Sequence, residues 1–326
     1  MPWFDLPEEE LRTYRTRTPE PDGLDGWWAE RLDDARSQAR ATSLSPYKTD
    51  VYGAVAVQDV EFSGACGDRI RAWYIRPARS GDEALPTVVT FIGYGGGRGT
   101  PTEHLVLPAV GFATVVMDTR GQGGTWTTGS TGDSGRVDDG PAHPGVMTRG
   151  IGSPDSYYYT RLYVDAARTV EVAADLPGVD ASRLAVAGAS QGGALALAAA
   201  ALVPDRVRAC EADVPFLCDI QRAVTLTDAM PYREVADFLA HHIELVPQAL
   251  DTLRYVDAAL LARRITADSL LSVGLMDDVC PPSTVFAAYN EIRGPKDIAV
   301  HPFSGHVVPT GHVERRIRHL RTCLAG

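Results

Sequence analysis

Short apolar runs without charge alternate along this chain with longer stretches of helical spacing. The runs cover 86–92, 113–117, 184–187 and 270–273, and a last short one covers 298–301. Between them, 160–175, 191–203 and 283–292 repeat apolar residues at the helical period. Continuous apolar strands alternating with helices predict a mostly parallel sheet covered on both faces, an α/β architecture. Ahead of this series, 55–62 and 69–75 alternate like strands around a turn at 63–68, which predicts an antiparallel hairpin at the sheet's edge. Earlier still, 24–41 carries Trp27, Trp28, Leu32 and Ala35 among charges and reads as an amphipathic helix lying on the core.

Two stretches break the alternation. Residues 121–152 are rich in Gly, Thr, Ser, Pro and Asp and predict a long irregular excursion, usually a sign of function or an interface. Residues 215–264 place Leu226, Val235, Phe238, Leu239, Ile243 and Leu253 at helical positions, predicting a helical cap insertion. Helices inserted there would cover the C-terminal edge of the sheet, where ligands bind in α/β proteins. No internal repeat is visible, so residues 1–326 read as one domain with these two additions.

Composition narrows the function classes. The chain is 44% hydrophobic and 22% charged, enough apolar material for a sizeable core. A net charge of −11 without a basic run argues against nucleic acid or an anionic membrane as the main partner. The scattered Cys66, Cys210, Cys218, Cys280 and Cys323 form no C-x-x-C pair, so neither a disulfide framework nor a zinc site is suggested. The histidines lack H-x-x-x-H spacing and the acids lack a calcium-loop pattern, so no metal or cofactor is implied. The acidic N-terminus has no signal-peptide core, and the apolar run 194–203 is too short for a bilayer. The expectation is a soluble, cytoplasmic protein.

The chemistry concentrates at Gly188-Ala189-Ser190-Gln191-Gly192-Gly193, between a strand and an alanine-rich helix. In that context Gly-x-Ser-x-Gly reads as a nucleophile elbow, with Ser190 raised above the sheet. Without the context it would be only a glycine-rich loop. A serine needs a base, and the base needs an orienting acid, in the chain order Ser, Asp/Glu, His. Asp277 follows the strand over 270–273 and is the chosen acid, with Asp278 its immediate rival. Of His301, His306, His312 and His319, His306 is preferred because it lies on the loop directly after the last strand. His312 is the next choice, and His319, in a basic helical stretch, reads as solvated. His104, His143, His241 and His242 read as surface or packing residues.

Acyl transfer also needs donors for an oxyanion. The backbone N–H of Gln191 directly follows the nucleophile, and that of Tyr94 sits in the glycine loop 93–99 after an earlier strand. That loop lacks the Lys-Ser/Thr of a phosphate loop and offers no G-x-G-x-x-G register, so a nucleotide site is disfavoured.

These motifs, with others, resemble the cephalosporin C deacetylase / acetyl xylan esterase family. The likeness runs over nearly the whole chain. It includes Phe4-Asp5-Leu6-Pro7, Ile92-Gly93-Tyr94, Met117-Asp118-Thr119-Arg120-Gly121-Gln122-Gly123, Met147-Thr148-Arg149-Gly150-Ile151 and Tyr157-Tyr158-Tyr159. Further on come Asp213-Val214-Pro215-Phe216-Leu217-Cys218, Ser272-Val273-Gly274-Leu275-Met276-Asp277 and the stretch from Pro281 to Asn290. The resemblance implies an α/β-hydrolase fold and a Ser190–His306–Asp277 triad, with an oxyanion hole from the Tyr94 and Gln191 amides. It also implies that Arg120 and Gln122 brace the site, and that Trp126 and Phe216 line a small acyl pocket beside Tyr94. Members of the family are typically cytoplasmic, often hexameric, and release acetyl groups from short xylo-oligosaccharides and cephalosporin C. Here Val307 follows the histidine where the family commonly has Glu.

The expected activity is therefore serine-dependent removal of acetyl groups from a small-molecule ester by a homo-oligomer. A non-hydrolytic binding protein of the same fold, or an acyltransferase, is the competing class. Fluorophosphonate labelling of Ser190, then acetate release against transfer to an alcohol, separates the three.

Overall fold

A computed structural model describes residues 3–81, 83–134 and 145–325. Its strands are β1 (Ser43–Pro46), β2 (Val55–Ser63), β3 (Arg69–Pro77), β4 (Leu85–Phe91), β5 (Ala113–Met117), β6 (Val179–Ala189), β7 (Ala209–Asp213), β8 (Asp268–Gly274) and β9 (Lys296–His301). They form one sheet in the order β1-β2-β3-β5-β4-β6-β7-β8-β9. Pairing is antiparallel from β1 through β3 to β5 and parallel from β5 to β9. Apart from β7, the parallel series stands where the hydrophobic pattern put it, and the hairpin β2–β3 has β1 outside it at the sheet's edge.

Alternation within the strands explains the continuous apolar runs. Val89, Leu184 and Val186 join one buried cluster, while their neighbours Val88, Ala185 and Ala187 join another. Successive side chains of a strand point to opposite faces, so both faces of the central strands are covered. On one side lie α1 (Leu24–Ser37), α2 (Tyr158–Ala174) and α3 (Gln191–Leu202). Residues Gln191 to Ala201 of α3 are buried throughout, as an alanine-rich helix without a polar face must be. Trp28 of α1 stacks on Tyr163 of α2, ring centroids 6.0 Å apart.

Between β7 and β8 the chain is helical, with α4 (Ile220–Leu226), α5 (Tyr232–His241) and α6 (Val246–Tyr255). After β8 come α7 (Pro282–Glu291) and, following β9, α8 (His312–Cys323). The irregular stretch read over 121–152 holds one isolated bridge, Gly124 with Thr128, among its described residues. Residues 135–144, with His143, lie outside the described residues. Among the described residues no helix is long and apolar enough to cross a membrane, and all five cysteines are free thiols.

Strand β7 has no counterpart in the hydrophobic pattern. It reads Ala-Cys-Glu-Ala-Asp, and Glu211 and Asp213 are buried on the same face. Helix α8 supplies their partners. Arg316 Nε donates to Glu211 Oε2 at 2.9 Å and its Nη1 lies 3.0 Å from Asp213 Oδ2. His312 pairs with Asp213 at 2.8 Å, and His319 with Glu211 at 3.0 Å and Asp268 at 3.3 Å. Burial pushes the Asp213 carboxyl up, but His312, Arg316 and Ser272 outweigh it and hold it below the usual carboxylate value. His319 is therefore not solvated, as the surrounding basic stretch suggested. Burial disfavours its charge, yet hydrogen bonds to Cys323 and Glu211 prevail and push its pKa up to about 10.

The sign of the resulting pH effect is definite. A histidine held above its unfolded value contributes stability in full below about pH 6.5 and loses it as pH climbs through about 10. Denaturant unfolding of the wild type and His319→Gln should show the wild type's advantage at about pH 6 and its shrinkage at about pH 10.5. An advantage that does not change with pH would exclude this linkage.

Candidate active site

The turn after β6 holds Ser190 at φ 56°, ψ −121°, a conformation that a side-chain-bearing residue adopts only when its surroundings impose it. The surroundings are glycine contacts. A Cβ on Gly188 would lie 2.3 Å from the Gly192 backbone, and one on Gly192 would lie 2.3 Å from the Phe91 carbonyl oxygen. The Ser190 N–H donates to the Asp213 carbonyl at 2.9 Å, and its own carbonyl accepts the Phe216 N–H at 3.0 Å. Helix α3 starts at the next residue, so its free N–H groups and dipole face the serine.

His306 and Asp277 arrive from the two strands beyond. The loop after β8 folds against the loop after β9, with Met276 N–H on the Ser304 carbonyl at 3.0 Å and Leu275 N–H on His301 at 3.1 Å. Gly274 has no room for a side chain there, since a Cβ would lie 2.4 Å from the Ser304 oxygen. His306 Nδ1 lies 2.8 Å from Asp277 Oδ2, and Nε2 lies 2.9 Å from Ser190 Oγ. The carboxylate can only accept, so Nδ1 carries the proton and Nε2 is free to accept from the serine hydroxyl. Asp277 is fully buried, and its other oxygen takes the Val279 and Cys280 N–H groups at 2.9 and 2.8 Å. Asp278 is half-buried, and its carbonyl accepts the Thr227 hydroxyl.

The loop after β4 completes the arrangement. Gly95 N–H donates to Gln122 Oε1 at 2.6 Å, while its carbonyl accepts from Gly123 and Thr125, each at 3.2 Å. Gln122 Nε2 reaches Gln191 Oε1 at 2.9 Å, linking this loop to the start of α3. Arg120 anchors the same segment through two hydrogen bonds to Asp165, at 2.5 and 2.8 Å, and one to Asp68 at 3.0 Å. The Tyr94 and Gln191 backbone N–H groups donate to no acceptor among the described residues.

The profile of the acetyl xylan esterase (AXE1) family matches residues 1–322. The chain belongs to that family. It is 34% identical to an acetyl xylan esterase from Paenibacillus sp. R4, with a TM-score of 0.91 over 98% of this chain and 100% of that one. It is 36% identical to acetyl xylan esterase 1 from Thermoanaerobacterium sp. JW/SL YS485, with a TM-score of 0.89 over 99% and 100%. Acetyl esterase Axe7A of Xylanibacter ruminicola is 30% identical over 303 residues, 91% of this chain, and this chain spans 65% of that protein's length. The fold is that of an α/β-hydrolase, and the family member is a serine ester hydrolase.

Within this esterase the remaining candidates are placed as follows. Trp126 is 61% exposed, donates from Nε1 to the Tyr94 carbonyl at 2.8 Å, and lies so close to Gly96 that a Cβ there would clash with its ring. Phe216 is fully buried and packs on Tyr232 with ring centroids 4.3 Å apart. Val307 is exposed. His312 is buried against Asp213, and His301 meets it edge-on at 5.5 Å. His104 lies 2.8 Å from the Arg98 carbonyl, and burial holds its pKa down. His241 is exposed, and His242 stacks on Phe238. Among the described residues, possible metal ligands converge at Asp268, His319 and Cys323, within 4.8 Å of one another. There the protonated His319 already serves as the cation between Glu211 and Asp268, and the group sits at the opposite end of β8 from Asp277.

Two supports of the site had no signal in the sequence. Cys280 holds Asp277 through its N–H, and burial pushes its thiol well above the ordinary value, leaving a neutral wall beside the acid. Glu234 holds the hydroxyl of Tyr94 from 140 residues away. The asymmetry between the adjacent acids is testable. Asp277→Asn should cut kcat by about 10⁴-fold, because an amide opposite Nδ1 favours the wrong imidazole tautomer. Asp278→Asn should stay within about threefold of wild type. Equal losses in steady-state kinetics would exclude Asp277 as the orienting acid.

Proposed function

We propose that this chain removes acetyl groups from small acetylated carbohydrates, such as xylo-oligosaccharides, and from cephalosporin C-like acetyl esters. The observation that carries the reading is the unbroken hydrogen-bonded line from Ser190 Oγ through His306 to buried Asp277. Two structural relatives are described as acetyl xylan esterases and a third relative as an acetyl esterase, which supports acetyl as the acyl group.

In this mechanism His306 Nε2 takes the Ser190 proton as Oγ attacks the acetyl carbonyl. The tetrahedral oxyanion is received by the Tyr94 and Gln191 N–H groups, each worth roughly 3–4 kcal/mol of transition-state stabilisation. His306 passes its proton to the departing alcohol, leaving acetyl-Ser190. Water then gives its proton to His306 and attacks the acyl carbon, and collapse returns acetate and the free hydroxyl. Asp277 keeps the imidazole in its working tautomer and stabilises the imidazolium in both halves. Tyr94 and Trp126 bound the acyl site in this reading, with Phe216 buried against Tyr232 rather than lining it, and Val307 leaves the mouth beside His306 apolar. The proposal extends, by family resemblance, to a cytoplasmic homo-oligomer.

A series of 4-nitrophenyl esters tests the acyl preference. Acetate should turn over faster than butyrate, and octanoate should be the poorest; preference for octanoate would overturn the acetyl reading. Ser190→Ala should lower kcat/KM by about 10⁴-fold or more while its unfolding transition stays close to that of the wild type. Acetate release from acetylated xylo-oligosaccharides and from cephalosporin C then ranks the alcohol halves.

A further inference from the structure

The Tyr94 loop is held at its outer end by a buried acid on the helical segment between β7 and β8. The Tyr94 hydroxyl donates to Glu234 Oε1 and itself accepts the Val146 N–H at 2.9 Å. The other oxygen of Glu234 accepts the Met147 N–H at 3.1 Å. Glu234 is only 3% exposed, and Gly145 has no room for a Cβ, which would lie 2.2 Å from the Glu234 carboxylate. One carboxylate on α5 thus joins the Tyr94 loop to the segment 145–147. Burial first, and then Glu234, hold the Tyr94 phenol far above its usual pKa, so it stays a neutral donor.

The same helix reaches the serine by a second route. Tyr232 of α5 packs on Phe216, whose N–H donates to the Ser190 carbonyl at 3.0 Å. Helix α5 therefore touches both the loop that carries one oxyanion donor and the backbone that carries the nucleophile. An oxyanion donor acts only when it is within about 3 Å of the charge that develops, so its value depends on how firmly its loop is held.

We infer that Glu234 is a positioning residue for the oxyanion hole: by clamping the Tyr94 hydroxyl and the Met147 N–H, it fixes the Tyr94 backbone N–H where the tetrahedral intermediate forms. The inference rests on the ester-hydrolase site described above. It predicts a defect confined to the transition state, since the loop's grip matters most when charge appears on the oxygen.

The test is a double-mutant cycle of Glu234→Gln, Tyr94→Phe and the double variant, read by 4-nitrophenyl acetate kinetics, by the rate of fluorophosphonate labelling at Ser190, and by thermal unfolding. Tyr94→Phe keeps the backbone N–H while removing the clamped hydroxyl. Each single variant should lose roughly 10- to 100-fold in kcat and in labelling rate, with KM within about twofold. The double variant should lose no more than the worse single one, because both cut the same link. Losses that multiply, a rise in KM with kcat intact, or labelling at the wild-type rate would each overturn the inference. A wild type that labels at Ser190 but releases no acetate would sink the acetyl proposal while leaving the labelling arm able to decide the role of Glu234.

Discussion

The constraint on which the site depends is a backbone contact too close for any side chain. Gly192 rests on the Phe91 carbonyl and Gly188 rests on Gly192, so the end of β4, the end of β6 and the start of α3 meet with no atoms to spare. That contact forces Ser190 into its positive-φ turn, and hydrogen bonds to Asp213 and from Phe216 keep it there. A conformation of this kind costs of order 1–3 kcal/mol and persists only where its neighbours over-determine it. The return on that strain is geometric. The hydroxyl stands clear of the sheet, with the N-terminus of α3 beneath it and the Tyr94 loop, leaving β4, alongside.

The neighbours that over-determine the turn are themselves held by buried charge. Asp213, whose carbonyl receives the Ser190 N–H, carries a carboxylate inside the protein that is compensated by His312, Arg316 and Ser272. Arg120, fully buried, is compensated by Asp165, Asp68 and Asp133, and its carbonyl accepts the Tyr158 hydroxyl at 2.6 Å. Tyr158 in turn accepts from Gln122, which ties the Tyr94 loop to Gln191. Buried charges of this kind add little net stability over an apolar core, but removing one partner leaves the other stranded at a cost of about 3–5 kcal/mol. They therefore fix positions more than they add stability, and they sit in ranks immediately behind Ser190 and behind the Tyr94 loop.

Much of this was legible in the sequence wherever the cause is local. Apolar runs mark every parallel strand except β7, although β6 begins at Val179, ahead of its run over 184–187. Glycines at fixed offsets marked the turn, and the order of Asp277 and His306 after Ser190 followed from the ends of β8 and β9. Strand β7 escapes the hydrophobic pattern because two of its five residues are acids, and His319 reads as solvated because its own helix is basic. Each error removes the explanation of the other: the acids are tolerable in a buried strand only because α8 lies against them, about a hundred residues further on. Strand β1, Ser-Leu-Ser-Pro at an exposed edge, has no apolar pattern to read. Glu234 is a charged residue on an amphipathic helix, and nothing in its sequence neighbourhood separates it from a solvated one.

This contrast between local and distant causes divides the site into two halves with different vulnerabilities. The acid and base come from adjacent parallel strands, and the two loops brace each other through main-chain bonds from Leu275 and Met276. The proposed oxyanion side is assembled from four separate parts of the chain: the Tyr94 loop, the 120–126 segment, residues 145–147 and helix α5. Beside the main-chain bonds from Gly123 and Thr125 to Gly95, its joints are the side chains of Gln122, Trp126 and Glu234, each bonding to another segment. In the proposed reaction, charge on the oxyanion appears only in the transition state, so slack in these joints would weaken the rate before it weakened substrate binding.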